Sequence, residues 1–122
     1  DLYFKAEKIG ETKLIKGVLD GLSAEDLIPI ASQIVERDSY ALAVLVSRSD
    51  GSVISMAGEG AVGRGLSAGK ITEVLTRSMG GRGGGRPDVG QGKVPLESLD
   101  RFEQSIQSIK DIIEGLNKSK SQ

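Results

Sequence analysis

Twelve of the seventeen glycines fall between positions 58 and 92, in two clusters that bracket residues 67–79. This crowding constrains the fold more than any other feature. Glycine loses the most conformational freedom on folding and brings no side chain to a core. The apolar interior must therefore come from the flanking segments and from the stretch between the clusters. Those segments suffice: 38% of the 122 residues are hydrophobic, enough for one domain with one modest core. Only 3% are aromatic, so Ile, Leu, Val and Ala must supply most of that core.

The flanking segments have readable periods. "LYFKAEKI" alternates, with Leu2, Phe4 and Ala6 opposed to Tyr3, Lys5 and Glu7. A Gly-containing turn and "KLIKGVLD" follow, which predicts a β-hairpin. Ser23, with Asp26 three residues later, marks a helix start. Leu27, Ala31 and Ile34 share one face of that helix, Ile28 and Val35 flank it, and Pro29 should kink its first turns. "YALAVLVS" is nearly all apolar, as a strand covered on both faces requires. Asp50 and Gly51 turn the chain into a returning strand, "SVISMA". Ser67 is placed to cap a second helix, with Ile71, Val74, Leu75 and Met79 on one side and Gly80 after its end. Residues 80–92 read as a loop. Pro95 and Glu97 suit the first turn of a last helix, in which Leu99, Phe102, Ile106, Ile109 and Ile113 are spaced 3, 4, 3, 4. Gly115 is expected to end it. The expected fold is α/β of the α+β kind, ordered ββα–ββα–loop–α: a small mixed sheet with helices packed on it. It fills residues 1–116, and 117–122 form a disordered polar tail. Tyr3, Phe4, Tyr40 and Phe102 are assigned to the core and its edges.

Composition removes several kinds of chemistry. With no histidine, Ser–His and Cys–His catalysis are excluded within this chain, along with the commonest nitrogen ligand for metals. With no cysteine there are no disulfides or thiolate metal sites, which fits a reducing, cytoplasmic setting. The seventeen acidic residues form no recognisable catalytic pair, and charged helix faces account for most of them. No cofactor, metal or catalytic site is expected. No apolar run approaches bilayer length and no signal peptide is visible, so no membrane partner is expected. The chain opens on Asp1 rather than Met, which points to a piece of something longer. Net charge is −1, but the six cations Arg64, Lys70, Arg77, Arg82, Arg86 and Lys93 face only Glu73 and Asp88 within residues 64–93. A basic segment on an acidic body suits a specific anionic partner.

Two nucleotide motifs are approached and missed. "GEGAVG" matches GxGxxG, but it follows the return strand of a hairpin rather than opening a βαβ unit, so turn glycines explain it better. "SAGKI" fails as a P-loop: Arg64 stands where the first glycine is required, and Ile71 where Ser or Thr would hold magnesium. The Leu99, Phe102, Ile106, Ile109, Ile113 stripe either covers the sheet or pairs two copies of the chain; two heptads are too few for an autonomous coiled coil.

Residues 80–92, "GGRGGGRPDVGQG", admit three readings. A flexible linker should separate domains, yet only one helix follows. A disordered RGG-type RNA contact is weakened by the single copy and by the Pro–Asp that follows. In the third, glycines let a ligand approach the backbone, exposed amides form an anion-binding concavity, and arginines add bidentate phosphate contacts. Here "GLSAGKITEVLTRSMGGRGGGRPDVGQG", residues 65–92, resembles the C-terminal domain of alanyl-tRNA synthetases, of the family associated with DHH phosphoesterases. The marks are the helix start at Ala68–Lys70, the "GGRGGG" run and "RPDVGQG". A looser likeness reaches back to Lys13 and does not clearly cover residues 95–122.

The resemblance implies a non-catalytic domain that helps hold tRNA and links aminoacylation to editing. It also implies a contribution to dimerisation in some members. In the phosphoesterase relatives the glycine motif runs into His and contacts a substrate phosphate. Here Arg86 follows Gly85, which matches the synthetase type. The expected partners are tRNA(Ala), the remaining domains of a parent synthetase and, in an alternative reading, a second copy through the Leu99–Ile113 stripe. A substrate-binding domain of a DHH-type phosphoesterase is the other alternative. In the favoured reading Gly81, Gly83, Gly84 and Gly85 let phosphate or ribose approach. Arg82 and Arg86 contact the RNA backbone, and Arg64, Lys70, Arg77 and Lys93 extend the patch. Asp88 ties the loop.

Overall fold

The computed structural model describes residues 6–120. Six strands form one sheet in the order β1-β2-β3-β4-β6-β5. They are β1 (Ala6–Ile9), β2 (Thr12–Leu19), β3 (Ala41–Ser47), β4 (Ser52–Ala57), β5 (Arg82–Gly85) and β6 (Val89–Lys93). The helices are α1 (Ala24–Arg37), α2 (Glu59–Gly63), α3 (Ala68–Ser78) and α4 (Phe102–Lys120), and a 3-10 turn, Leu96–Arg101, leads into α4. The sheet is mixed, as expected: β2 and β3 are parallel and the other four pairs antiparallel. Parallel neighbours cannot be joined by a tight turn, and α1 supplies the crossover between them.

All seven residues of β3 and all six of β4 are buried, because helices cover both faces of these central strands. On one face Ala43, Leu45, Ile54 and Met56 meet Leu27 and Ala31 of α1. On the other, Leu42, Val44, Val46 and Val53 meet Ile71, Leu75 and Met79 of α3 and Ile106, Ile109 and Ile113 of α4. Helix starts follow the expected chemistry. The Ser23 amide donates to the Asp26 carboxylate at 2.9 Å, and Ser67 Oγ accepts from the Lys70 amide at 3.2 Å. Gly51, at φ +78, makes the β3–β4 turn, where a side chain would also strike the Val94 carbonyl.

Four expectations need correction, and a fifth lies partly outside the described residues. Residues 80–92 are not a loop but the β5–β6 hairpin. Glycine gives no side-chain alternation from which a strand can be read, yet β6 pairs with β4 over five residues, Ser52↔Lys93 to Met56↔Val89. Within "GEGAVG", Glu59–Gly63 forms the short helix α2. The last helix neither starts at Pro95 nor stops at Gly115: Pro95 precedes the 3-10 turn and α4 runs to Lys120. The segment assigned to a disordered tail is helical through Lys120, because Asn117 Nδ2 donates to the Ile9 carbonyl at 2.7 Å and fastens α4 to β1. Leu2, Tyr3 and Phe4 of the first hairpin lie outside the described residues.

The stripe on the last helix is committed to this chain's own core. Phe102, Ile106, Ile109 and Ile113 are buried and Leu99 packs beside them. A second copy could reach these side chains only by lifting α4 off the sheet. Coverage of the sheet is thus the use this fold makes of the stripe.

Candidate nucleic-acid interface

Side chains alternate across a strand, so the β5–β6 ribbon has two different faces. One carries Gly83, Gly85, Gly90 and Gly92, paired as Gly83↔Gly92 and Gly85↔Gly90. Helix α3 lies directly on it. A Cβ at Gly83 would meet Thr72 Cγ2, one at Gly90 would meet Thr72 Oγ1, and one at Gly92 would meet Thr76 Cγ2. Both threonines are fully buried, and their hydroxyls donate back along the helix, Thr72 to Ala68 O at 2.9 Å and Thr76 to Thr72 O at 2.8 Å. These glycines are there so that a helix can approach a sheet closely. Gly81 is confined by the Lys93 carbonyl, and Gly85, at φ +148, by the Val89 carbonyl.

The other face carries Arg82 and Gly84 along one strand, which ends at Gly85 just before Arg86, and Val89, Gln91 and Lys93 along its partner, in the register Arg82↔Lys93 and Gly84↔Gln91. Helix α1 covers β3 and β4 on this side and its cluster takes in Val89 of the hairpin, while Arg82, Arg86, Gln91 and Lys93 are exposed. Two cations stand opposite each other at one end of the ribbon. At the other end, four residues or about 13 Å along at strand rise, stands Arg86. Between them lies Gly84, where an added Cβ would meet nothing within 4 Å.

Like charges directly opposite on a sheet destabilise it. Among the described residues neither Arg82 nor Lys93 has a salt bridge. The Lys93 charge is felt weakly at Asp50, whose carboxyl is held below its ordinary range mainly by the Ser52 amide, which donates to it at 2.9 Å. Arg86 Nε stands 3.4 Å from Asp88 Oδ1, an exposed pair of little energetic weight. The turn that carries Arg86 is firmly tied. The Ala57 amide donates to the Asp88 carbonyl at 3.0 Å, so Asp88 does anchor this turn, through its backbone.

The remaining cations are divided. Arg77 and Arg82, with Glu73, Thr76, Gly81 and Gly83, line a shallow cleft of about 360 Å³ at the free edge of β5. Lys70 is exposed on α3, across the sheet from the bare face. Arg64 pairs with Glu11 at 3.0 Å beside the β1–β2 turn. That is the opposite edge of the sheet, five strand spacings or roughly 24 Å away. Arg64 therefore does not extend the basic patch. Gln91 was not anticipated as part of this face. The alternation in "VGQGK" was its signal, but only once that segment is recognised as a strand.

A mixed six-stranded sheet with helices on both faces and an exposed basic ribbon at one edge defines a small α+β domain. The chain belongs to the DHHA1 domain family, whose model matches residues 11–115. It is similar to an alanine–tRNA ligase of Caldicellulosiruptor saccharolyticus, 33% identical over 118 residues, covering 93% of this chain and 13% of that protein. An alanine–tRNA ligase of Methanococcoides burtonii is 29% identical over 109 residues, covering 87% of this chain and 12% of that protein. The chain thus spans about an eighth of the length of these relatives. Its fold is that of the C-Ala domain from Aquifex aeolicus alanyl-tRNA synthetase, with a TM-score of 0.79 at 22% identity over 90% of this chain and 98% of that one.

Proposed function

We propose that this chain is the tRNA-binding, non-catalytic module of an alanyl-tRNA synthetase, and that it lies against tRNA(Ala) with the bare face of the β5–β6 hairpin. The observation that carries this reading is the Arg82↔Lys93 pair: two exposed like charges in cross-strand register on a glycine-rich ribbon, neither in a salt bridge among the described residues. An RNA backbone crossing the ribbon neutralises both cations at one end and reaches Arg86 at the other. Gly84 lets a ribose or phosphate come against the backbone between them. Recognition of this kind reads shape and backbone rather than sequence, since the face carries no aromatic platform. The remaining domains of the synthetase are the module's covalent partners. Tethering raises its effective concentration at the RNA, so weak affinity of its own is enough to help position tRNA for aminoacylation and editing.

The test is the double variant Arg82→Ala/Arg86→Ala in the full-length protein, with tRNA(Ala) affinity measured at several salt concentrations. Each lost phosphate contact weakens binding and flattens the salt dependence by about one unit of slope. Unchanged affinity and slope would place the RNA elsewhere.

A further inference from the structure

The first amides of a helix have no acceptor within the helix and are ordinarily left to solvent, a cap or an anion. In α3 they are already taken. The Ala68 amide donates to the Pro87 carbonyl at 2.8 Å and the Gly69 amide to the Arg86 carbonyl at 2.8 Å. The Lys70 amide is held by Ser67 Oγ and the Ile71 amide by the Ser67 carbonyl at 3.0 Å. With Ala57 bound to Asp88, three successive carbonyls of the hairpin turn are fixed from outside the turn. The Arg86 amide donates to the Val89 carbonyl at 2.9 Å, so both backbone groups of Arg86 are occupied while its side chain is exposed beside Asp88. Gly69 is what makes the approach feasible. Its own conformation is helical, but a Cβ there would overlap the Gly85 and Arg86 carbonyls.

We propose that Gly69 is a positioning residue: through the Arg86 carbonyl it sets the place and direction of the Arg86 side chain on the RNA-facing side of the ribbon. This rests on the RNA-binding reading above, and it assigns the start of α3 a role separate from anion binding. The same amides that elsewhere hold a phosphate here hold the backbone of the arginine that does so. Replacing Gly by Ala inside a helix ordinarily strengthens the helix, so loss of binding in Gly69→Ala cannot be charged to a weaker α3.

The test is a double-mutant cycle in the full-length protein with tRNA(Ala) across a salt series, using Gly69→Ala, Arg86→Ala and both together. Residues that act through one another are non-additive, whereas independent structural damage adds. The expected result is that Gly69→Ala lowers the salt slope by about one unit, as Arg86→Ala does, and that the double variant loses no more than Arg86→Ala alone. Wild-type binding by Gly69→Ala, or losses that add, overturns the positioning role. If Arg86→Ala itself leaves the slope unchanged, the RNA-binding reading of Arg86 falls, and the positioning role with it. Should Gly69→Ala fold poorly, amide hydrogen exchange on the unmodified protein decides. The clamp requires Ala68 and Gly69 to exchange as slowly as the interior of α3. Rapid exchange at both positions, like that of an open first helical turn, overturns it.

Discussion

At Gly84 an added methyl would meet no atom within 4 Å, whereas at Gly90, diagonal to it across the ladder, one would meet Thr72 Oγ1 and the Ala68 carbonyl. The two glycines look the same in sequence and answer to different demands. A bare position inside a strand forgoes packing, and a β-branched residue there is worth about 1 kcal/mol more. Gly84→Val should therefore hold or raise the thermal midpoint while weakening tRNA(Ala) binding severalfold, because in the proposed function its side chain would stand in the path of the RNA backbone. A calorimetric scan paired with a binding titration checks both halves. Gly81, Gly83 and Gly85 were expected to serve ligand approach equally. Contacts with Lys93, Thr72 and Val89 give each of them a reason within the fold, and leave Gly84 as the member of that set open to a partner.

Helix α3 and the hairpin form one unit, in which a flat glycine surface receives a helix carrying threonines rather than larger side chains. Overfilling a packed contact costs about 1–3 kcal/mol, so Gly90→Ala should lower the unfolding free energy by that order. Denaturant unfolding monitored by circular dichroism measures it, and a neutral result would mean that α3 does not sit on the ribbon. The helix itself was legible: its cap at Ser67 and its Ile71, Leu75 and Met79 face follow from spacing alone. The strands it covers were not. Their residues lack the side chains in which a period of two could be seen, and β6 finds its second partner in β4, a distant part of the chain, while β5 pairs with β6 alone. The extension of α4 past Gly115 escaped for a similar reason. Nothing near Gly115 in sequence announces that Asn117 reaches the Ile9 carbonyl.

Among the described residues, several ion pairs join elements that are distant in the chain. Lys13 meets Asp38 at 2.7 Å, Lys16 meets Glu103 at 2.7 Å, Lys110 meets Glu7 at 3.0 Å and Arg64 meets Glu11 at 3.0 Å. The Asp38 carboxyl is held below its ordinary range, first by its hydrogen bond to Lys13 and next by the Tyr40 amide. Asp50 is lowered by the Ser52 amide. A carboxyl whose folded pKa is depressed adds stability above its unfolded pKa and loses it as pH falls through the folded value. Stability should thus be flat from neutral pH down to about 4 and decline below it. Asp50→Asn should shallow that decline, and urea unfolding at pH 7, 4 and 3 tests it. Local periodicity, capping and charge counts were enough to read a mixed sheet of α+β kind, the buried strand at residues 40–47, the caps of α1 and α3 and the basic character of residues 64–93. Which glycines serve the fold, which one faces outward, and the distance of Arg64 from Arg82 and Lys93 emerge only from how the elements assemble. The reason is that strand register and helix docking, neither of which is local in the chain, set which side of a sheet a residue occupies.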